Sequence, residues 1–229
     1  PLAILQRLIR SSTPTGRTFL YPRKGYGQIV EVLADALVNA GGKIELNFPI
    51  EGILLNQDSC LLKSPKGERT AEFVWTTAPL SALPKMIDPS PKQEIVQAAS
   101  SLQIRGMLLV YLVLDQPNFT EYDAHYFPGL QTRIARLSEP KNYRDGPDPK
   151  NQTVLCAELP CWTTDEIWSA TPDELGEIVK SDIVNLGLPE IHLVKTEVRR
   201  LPFVYPVLKH QLVMNERCFL SGGIHFPDY

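Results

Sequence analysis

YPRKGYGQIVEVLADALVNAGGKIELNFPIEGI, residues 21–53, decides how the rest of the chain is read. Within it Ile29, Val32, Leu33, Ala36 and Leu37 recur at the three- and four-residue spacing of one apolar helix face. The spacing predicts an amphipathic helix of about four turns over Gln28–Ala40. Gly25 and Gly27 stand before it, and Gly41-Gly42 after it supply the left-handed stop that a side chain disfavours. Beyond the stop, Ile44, Leu46, Phe48 and Ile50 alternate with other residues, which predicts a strand over Lys43–Leu55. Pro49 lacks an amide hydrogen and imposes a bend or an edge on that strand.

Upstream, LAILQRLIR (residues 2–10) has helical spacing and no cap, as at the end of a helix begun earlier. Downstream, Ser59–Lys63 and Thr70–Thr76 are expected to form a hairpin across Pro65-Lys66-Gly67-Glu68. Short helices follow at Leu83–Ile87 and Pro91–Ser100. Ile104–Leu114 is apolar on both faces around Tyr111, so it belongs inside a sheet with a neighbour on each side. Further strands are expected at His125–Phe127, Arg133–Leu137 and Thr153–Leu159, the last two separated by the exposed loop KNYRDGPDPKN. Thr171-Pro172-Asp173-Glu174 is a helix start with a hydroxyl cap, Pro in the first turn and Glu at the third position. That helix runs to Leu186 and stops at Gly187 and Pro189. A strand over Ile191–Val204, interrupted at Pro202, and a short one at Cys218–Leu220 complete the chain. The fold class expected is α+β: a mixed, largely antiparallel sheet with helices on one side.

Composition narrows the function. The 229 residues are 43% hydrophobic and 21% charged, which excludes a disordered tail or a fibrous repeat. Lys plus Arg number 23 against 26 Asp plus Glu, too little positive charge to coat nucleic acid or anionic lipid. The longest apolar run, Met107–Leu114, is far short of the roughly 20 residues a membrane-spanning helix needs. Cys60, Cys156, Cys161 and Cys218 form no CxxC pair, and free thiols in a reducing, cytoplasmic setting are expected. His125, His192, His210 and His225 are scattered, so no metal site is expected. Twenty prolines imply short elements joined by stiff turns.

The stretch from Tyr21 to Ile53 resembles the middle of FAD-dependent amine oxidoreductases, the group with protoporphyrinogen-oxidase-like and phytoene-desaturase-like members. The parts that carry the resemblance are Tyr21-Pro22, Gly25 and Gly27, the helix, Gly41-Gly42, and Ile50 with Ile53. FVWTTAPLSAL (73–83), LLVYLVLDQPNF (108–119) with RIARLSEPKNY (133–143), VRRLPFVYPV (198–207) and CFLSGG (218–223) are similar to later segments of that group. The resemblance implies an organisation in four parts. Residues 1–20 end a preceding helix; 21–88 belong to the FAD-binding region; 89–205 form the substrate-side sheet; 206–229 return toward the FAD region.

It also implies roles. Ile50 matches the position whose backbone meets the adenine, and a core strand residue is its plain alternative. Thr77, Ala78 and Pro79 match the segment near the ribose and diphosphate, and Gly222 and Gly223 the glycines at a strand end. Arg200 and Tyr205 either face the substrate cavity or pack structurally. No side chain is singled out as catalytic, because in such enzymes the flavin itself takes the hydride. No GxGxxG occurs in the 229 residues, and Gly223 stands where relatives often carry an acidic residue. The chain is therefore expected to be a fragment, inactive and without tightly held FAD by itself, and to self-associate through uncovered apolar surface. The substrate of the complete protein would be small and apolar or amphipathic. Two other readings stay open: a non-catalytic domain that binds a ligand or partner, and part of a flavin-dependent sugar mutase.

Overall fold

The computed structural model describes residues 20–143 and 146–207. The helix expected near the start of the chain and the strand at Cys218–Leu220 lie outside these residues, as do Gly222 and Gly223.

Helix α1, Gly27–Asn39, forms where the apolar spacing places it. Gly25 at φ 91° and Gly41 at φ 87° occupy the left-handed conformation that turns the chain into and out of it. The extended run expected over Lys43–Leu55 does not form. Only Gly52–Leu55 is strand β1. Asn47, with φ 57°, reverses the backbone in the middle of the run, and Pro49 follows it. Alternation without a partner strand did not suffice here.

β2 (Cys60–Ser64) and β3 (Gly67–Ala71) make the expected hairpin, with a tighter turn in which Gly67 lies at φ 123°. The second arm ends at Ala71, so Phe73 and Trp75 stand almost wholly exposed. After the one-turn helix α2 (Leu83–Met86), β4 (Ile87–Asp88) runs parallel to β1 and closes a four-stranded sheet of order β3-β2-β1-β4.

Helix α3 (Gln93–Ser100) leads into the larger sheet. Its strands are β5 (Ile104–Leu114), β6 (Ala124–Tyr126), β7 (Arg136–Ser138), β8 (Thr153–Cys161) and β9 (Leu193–Pro206), in the order β6-β7-β8-β5-β9. Every pairing is antiparallel, and β5 has a neighbour on each side, as its two-faced apolarity requires. β9 runs through Pro202 rather than stopping there. Met107 faces Leu201 and Arg105 faces Tyr205, so residues 202–204 bulge past Gly106 and the ladder asks no donor of the proline.

Helices α4 (Glu166–Ser169) and α5 (Pro172–Asn185) cover one face of this sheet. Leu108, Val110, Leu112 and Leu114 of β5 and Leu155, Ala157 and Leu159 of β8 point to the helical side. Leu175, Val179 and Ile183, one turn apart on α5, meet them, and all ten side chains are buried. Each contributes about 1.5–3 kcal/mol by leaving water, less for the alanine. Gly176 allows the close approach: a Cβ there would lie 2.3 Å from the Thr196 hydroxyl of β9.

Candidate functional site

The opposite face of the large sheet carries the alternate residues, and among the described residues no α-helix packs over it. Rows across the strands follow from the register. Arg136, Glu158, Leu109 and Arg199 make one row; Ser138, Cys156, Tyr111 and Glu197 make the next. Over the first strands of these rows lies a groove of about 590 Å3.

Its floor is Leu109, Tyr111, Cys156, Glu158, Arg136 and Ser138. Its walls come from two distant parts of the chain. Pro140 opens and Tyr143 follows the 3-10 turn Pro140–Asn142, while Tyr21 and Tyr26 bracket the Gly25 turn before α1. Tyr21 stacks on Tyr143, with ring centroids 5.4 Å apart and planes 25° from parallel. The Tyr-Pro step thus supplies a wall of a groove floored by strands more than 80 residues away. Sequence reading named the step and missed what it lines.

The wall is held rigidly. Glu139, buried beside it, accepts hydrogen bonds from the Phe119 and Thr120 amides, from the Asn142 side chain and, at 2.6 Å, from the Thr153 hydroxyl. Lys141 donates to the carbonyls of Pro117, Pro149 and Gln152. A carboxylate and an ammonium two residues apart thereby knot the turn to the strand ends.

Arg136 and Glu158 are the charged side chains on the groove floor. Arg136 Nε donates to Glu158 Oε1 at 3.0 Å, and its Nη2 contacts the same oxygen. Burial works against the guanidinium's charge, but hydrogen bonds to Glu158 and Tyr126 and the Glu158 charge outweigh it, so Arg136 holds its proton above the ordinary value. Burial, reinforced by the Glu158 charge, pushes the Cys156 thiol up to about 11 despite a hydrogen bond with Tyr111. It is a neutral thiol at pH 7 and no nucleophile. Burial and Cys156 raise Tyr111 as well, and burial raises Tyr143. The floor is a set of neutral hydroxyl and thiol groups around one ion pair.

The residues singled out in the sequence fall in several places. Ile50 is half-buried just before β1, and Thr77, Ala78 and Pro79 lie in the loop between β3 and α2, where the Thr76 hydroxyl accepts from the Ala78 amide. Arg200 lies on the helix-covered side and donates to the carbonyls of Trp168 and Ala170, 2.7 Å and 2.5 Å away. Tyr205 is an exposed residue of β9 opposite Arg105. Neither lines the groove. Among the described residues no cluster of His, Cys, Asp or Glu is arranged to hold a metal, and no helix is long and apolar enough to cross a membrane.

A diphosphate-bearing cofactor calls for a helix N-terminus with approachable backbone amides. At the start of α1 the cap residue Tyr26 offers no side-chain cap, and a Cβ on Gly27 would meet nothing within 4 Å. Gly27 is therefore not kept small by packing against protein. Among the described residues no strand leads into this helix and only Gly25-Tyr26-Gly27 precedes it, not a full GxGxxG turn, so they do not by themselves fit the diphosphate of FAD.

No known family profile and no curated protein matches this chain in sequence. Solved structures do share its fold. A protein described as a candidate protoporphyrinogen oxidase from Exiguobacterium sp. 255-15 superposes with a TM-score of 0.70 at 19% identity, over 95% of this chain and 46% of that one. The fold is that of two oxidases and a sugar mutase. Reduced UDP-galactopyranose mutase gives a TM-score of 0.67 at 17% identity, over 88% of this chain and 44% of that one. Putrescine oxidase bound to putrescine gives 0.62 at 16%, over 80% and 41%. The chain spans less than half the length of each.

Proposed function

We propose that this chain is the substrate-side portion of an FAD-dependent oxidoreductase of the amine-oxidase or protoporphyrinogen-oxidase-like kind, and that it is inactive alone. The observation that carries the reading is the open groove. One face of the sheet is buried under α4 and α5 while the other, among the described residues, carries a groove floored by hydroxyl, thiol and ion-pair groups and walled by Tyr21, Tyr26 and Tyr143. The resemblance around Tyr21–Ile53 and the fold shared with two oxidases support it.

In this reading the complete protein binds FAD, with Ile50 and Thr77, Ala78 and Pro79 along the adenine and diphosphate edge and Gly222 and Gly223 at the strand end. The flavin supplies hydride chemistry when bound. The residues of this chain hold a small apolar or amphipathic substrate against the sheet, exclude water with the tyrosine walls and keep Arg136 and Glu158 paired beneath it. Localisation is cytoplasmic, and apolar surface left open on α1 drives self-association of the isolated chain.

Flavin content tests it. The full-length protein carrying this sequence is expected to purify with about one flavin and the 229-residue chain with none. Near-stoichiometric flavin on the chain alone, or none on the full-length protein, overturns the reading. The match to UDP-galactopyranose mutase favours a second reading, a flavin-dependent sugar mutase. Turnover of a nucleotide sugar without an electron acceptor would select it.

A further inference from the structure

The Arg136–Glu158 pair is asymmetric in a way that bears on what the groove accepts. The guanidinium side chain is 39% exposed and the carboxylate 14%, so the charge presented to the groove is the cation, with its counter-ion beneath. Both contacts with Glu158 fall on a single oxygen, through Nε and Nη2, so the two-oxygen fork is not made, and with Tyr126 also engaged the guanidinium still has further N–H donors among its five. Around this cation stand aromatic rings, with the Tyr21–Tyr143 stack forming one side.

Resting on the reading of the groove as a substrate site, we propose that its ligand carries an anionic group that Arg136 receives and a flat ring system that lies along the tyrosines, and that cationic amines are disfavoured. A carboxylate entering the groove meets exposed N–H donors and a positive charge. An ammonium group meets the same charge before it can reach Glu158. The pair is thus a selector: Glu158 stabilises Arg136 while the groove is empty, and an incoming acid shares the guanidinium.

The test compares two probes with one ring, 2-naphthoate and 2-naphthylmethylamine, by equilibrium titration of the full-length protein at low salt. 2-Naphthoate is expected to bind at least tenfold more tightly. Arg136→Gln should bring the two within about twofold, and Glu158→Gln should tighten 2-naphthoate severalfold by freeing the guanidinium. If Arg136→Gln fails to fold, as circular dichroism would show, the Glu158→Gln arm decides. Equal or tighter binding of the amine, no saturable binding of either probe, or a preference that survives Arg136→Gln overturns the proposal, as does weaker binding of 2-naphthoate to Glu158→Gln. Flavin content is read on the same samples. Flavin present without the charge preference defeats this inference alone, and the preference without flavin defeats only the cofactor reading.

Discussion

The two sheets of this chain are built from similar residues and end in opposite states. The five-stranded sheet buries a continuous side under α5, and Leu112 at its centre is 0% exposed. The segment with α1 and the four-stranded sheet offers an equally apolar pattern, yet Leu33 on the helix's apolar face is 65% exposed and α1 has no buried residue. Periodicity gave both regions their helices; among the described residues only one of them has something to pack on. An amphipathic face thus records what a helix is meant to cover, not that the cover lies within the same stretch of chain.

The largest expected effect breaks this comparison at its core. Leu112→Ala should cost about 2–5 kcal/mol, because the cavity left among fully buried neighbours cannot collapse. Leu33→Ala in the isolated chain should change stability by no more than about 0.5 kcal/mol, as at an open surface position. Urea titration of both variants checks the pair. An equal loss would mean that α1 packs as tightly as the sheet.

A smaller effect concerns how the groove wall is fixed. Glu139→Ala removes the shared acceptor of the Phe119 amide, the Thr120 amide and the Thr153 hydroxyl. Each buried donor left without a partner costs about 1–3 kcal/mol, and an entering water recovers part of this, so a loss on the order of 3 kcal/mol is expected. Hydrogen exchange should quicken at Phe119 and Thr120 before it quickens in β5. Unchanged exchange there would show that Lys141 and its three carbonyls hold the turn unaided.

How much of this was legible depended on whether the deciding interaction was local. The capping box at Thr171, the glycine at 187 with φ 70°, the paired interior strand β5 and the α1 boundaries follow from neighbours in sequence. Lys43–Leu55 misled because alternation describes a strand that has a partner, and this run reverses at Asn47 instead. Phe73 and Trp75 misled for the same reason. The groove itself was hidden. Arg136, Glu158, Tyr111 and Tyr21 sit on four separate segments, and only the sheet register and the turn at Gly25 bring them together. Arg136 could have been suspected as a charge set between Ala135 and Leu137 in the expected strand at Arg133–Leu137; no local signal marked its partner.

The finest distinction between the regions lies at their helix starts. α1 begins on Tyr26 with no side-chain cap, whereas Thr171 and Glu174 close a reciprocal box at α5. The Thr171 hydroxyl accepts from the Glu174 amide at 3.3 Å, and the Glu174 carboxylate accepts from the Thr171 amide at 2.8 Å. Thr171→Ala should cost about 1 kcal/mol. The hydrogen bonds donated to the carboxylate, from the Thr171 amide foremost and then from the Thr171 hydroxyl at 2.9 Å, hold the Glu174 carboxyl below the usual range. A carboxyl lowered on folding stabilises above its unfolded pKa, and the contribution is lost as pH falls through the lower folded one. Glu174→Gln should therefore unfold more easily than the parent at pH 7, and the gap should close on acidification below the ordinary carboxylate range. The matching pair at the third position of α1, Ile29→Glu against Ile29→Gln, should show a smaller pH-dependent gap, because Tyr26 makes no side-chain cap on that first turn. A gap at pH 7 that persists unchanged through acid would mean that the box acts through packing rather than charge.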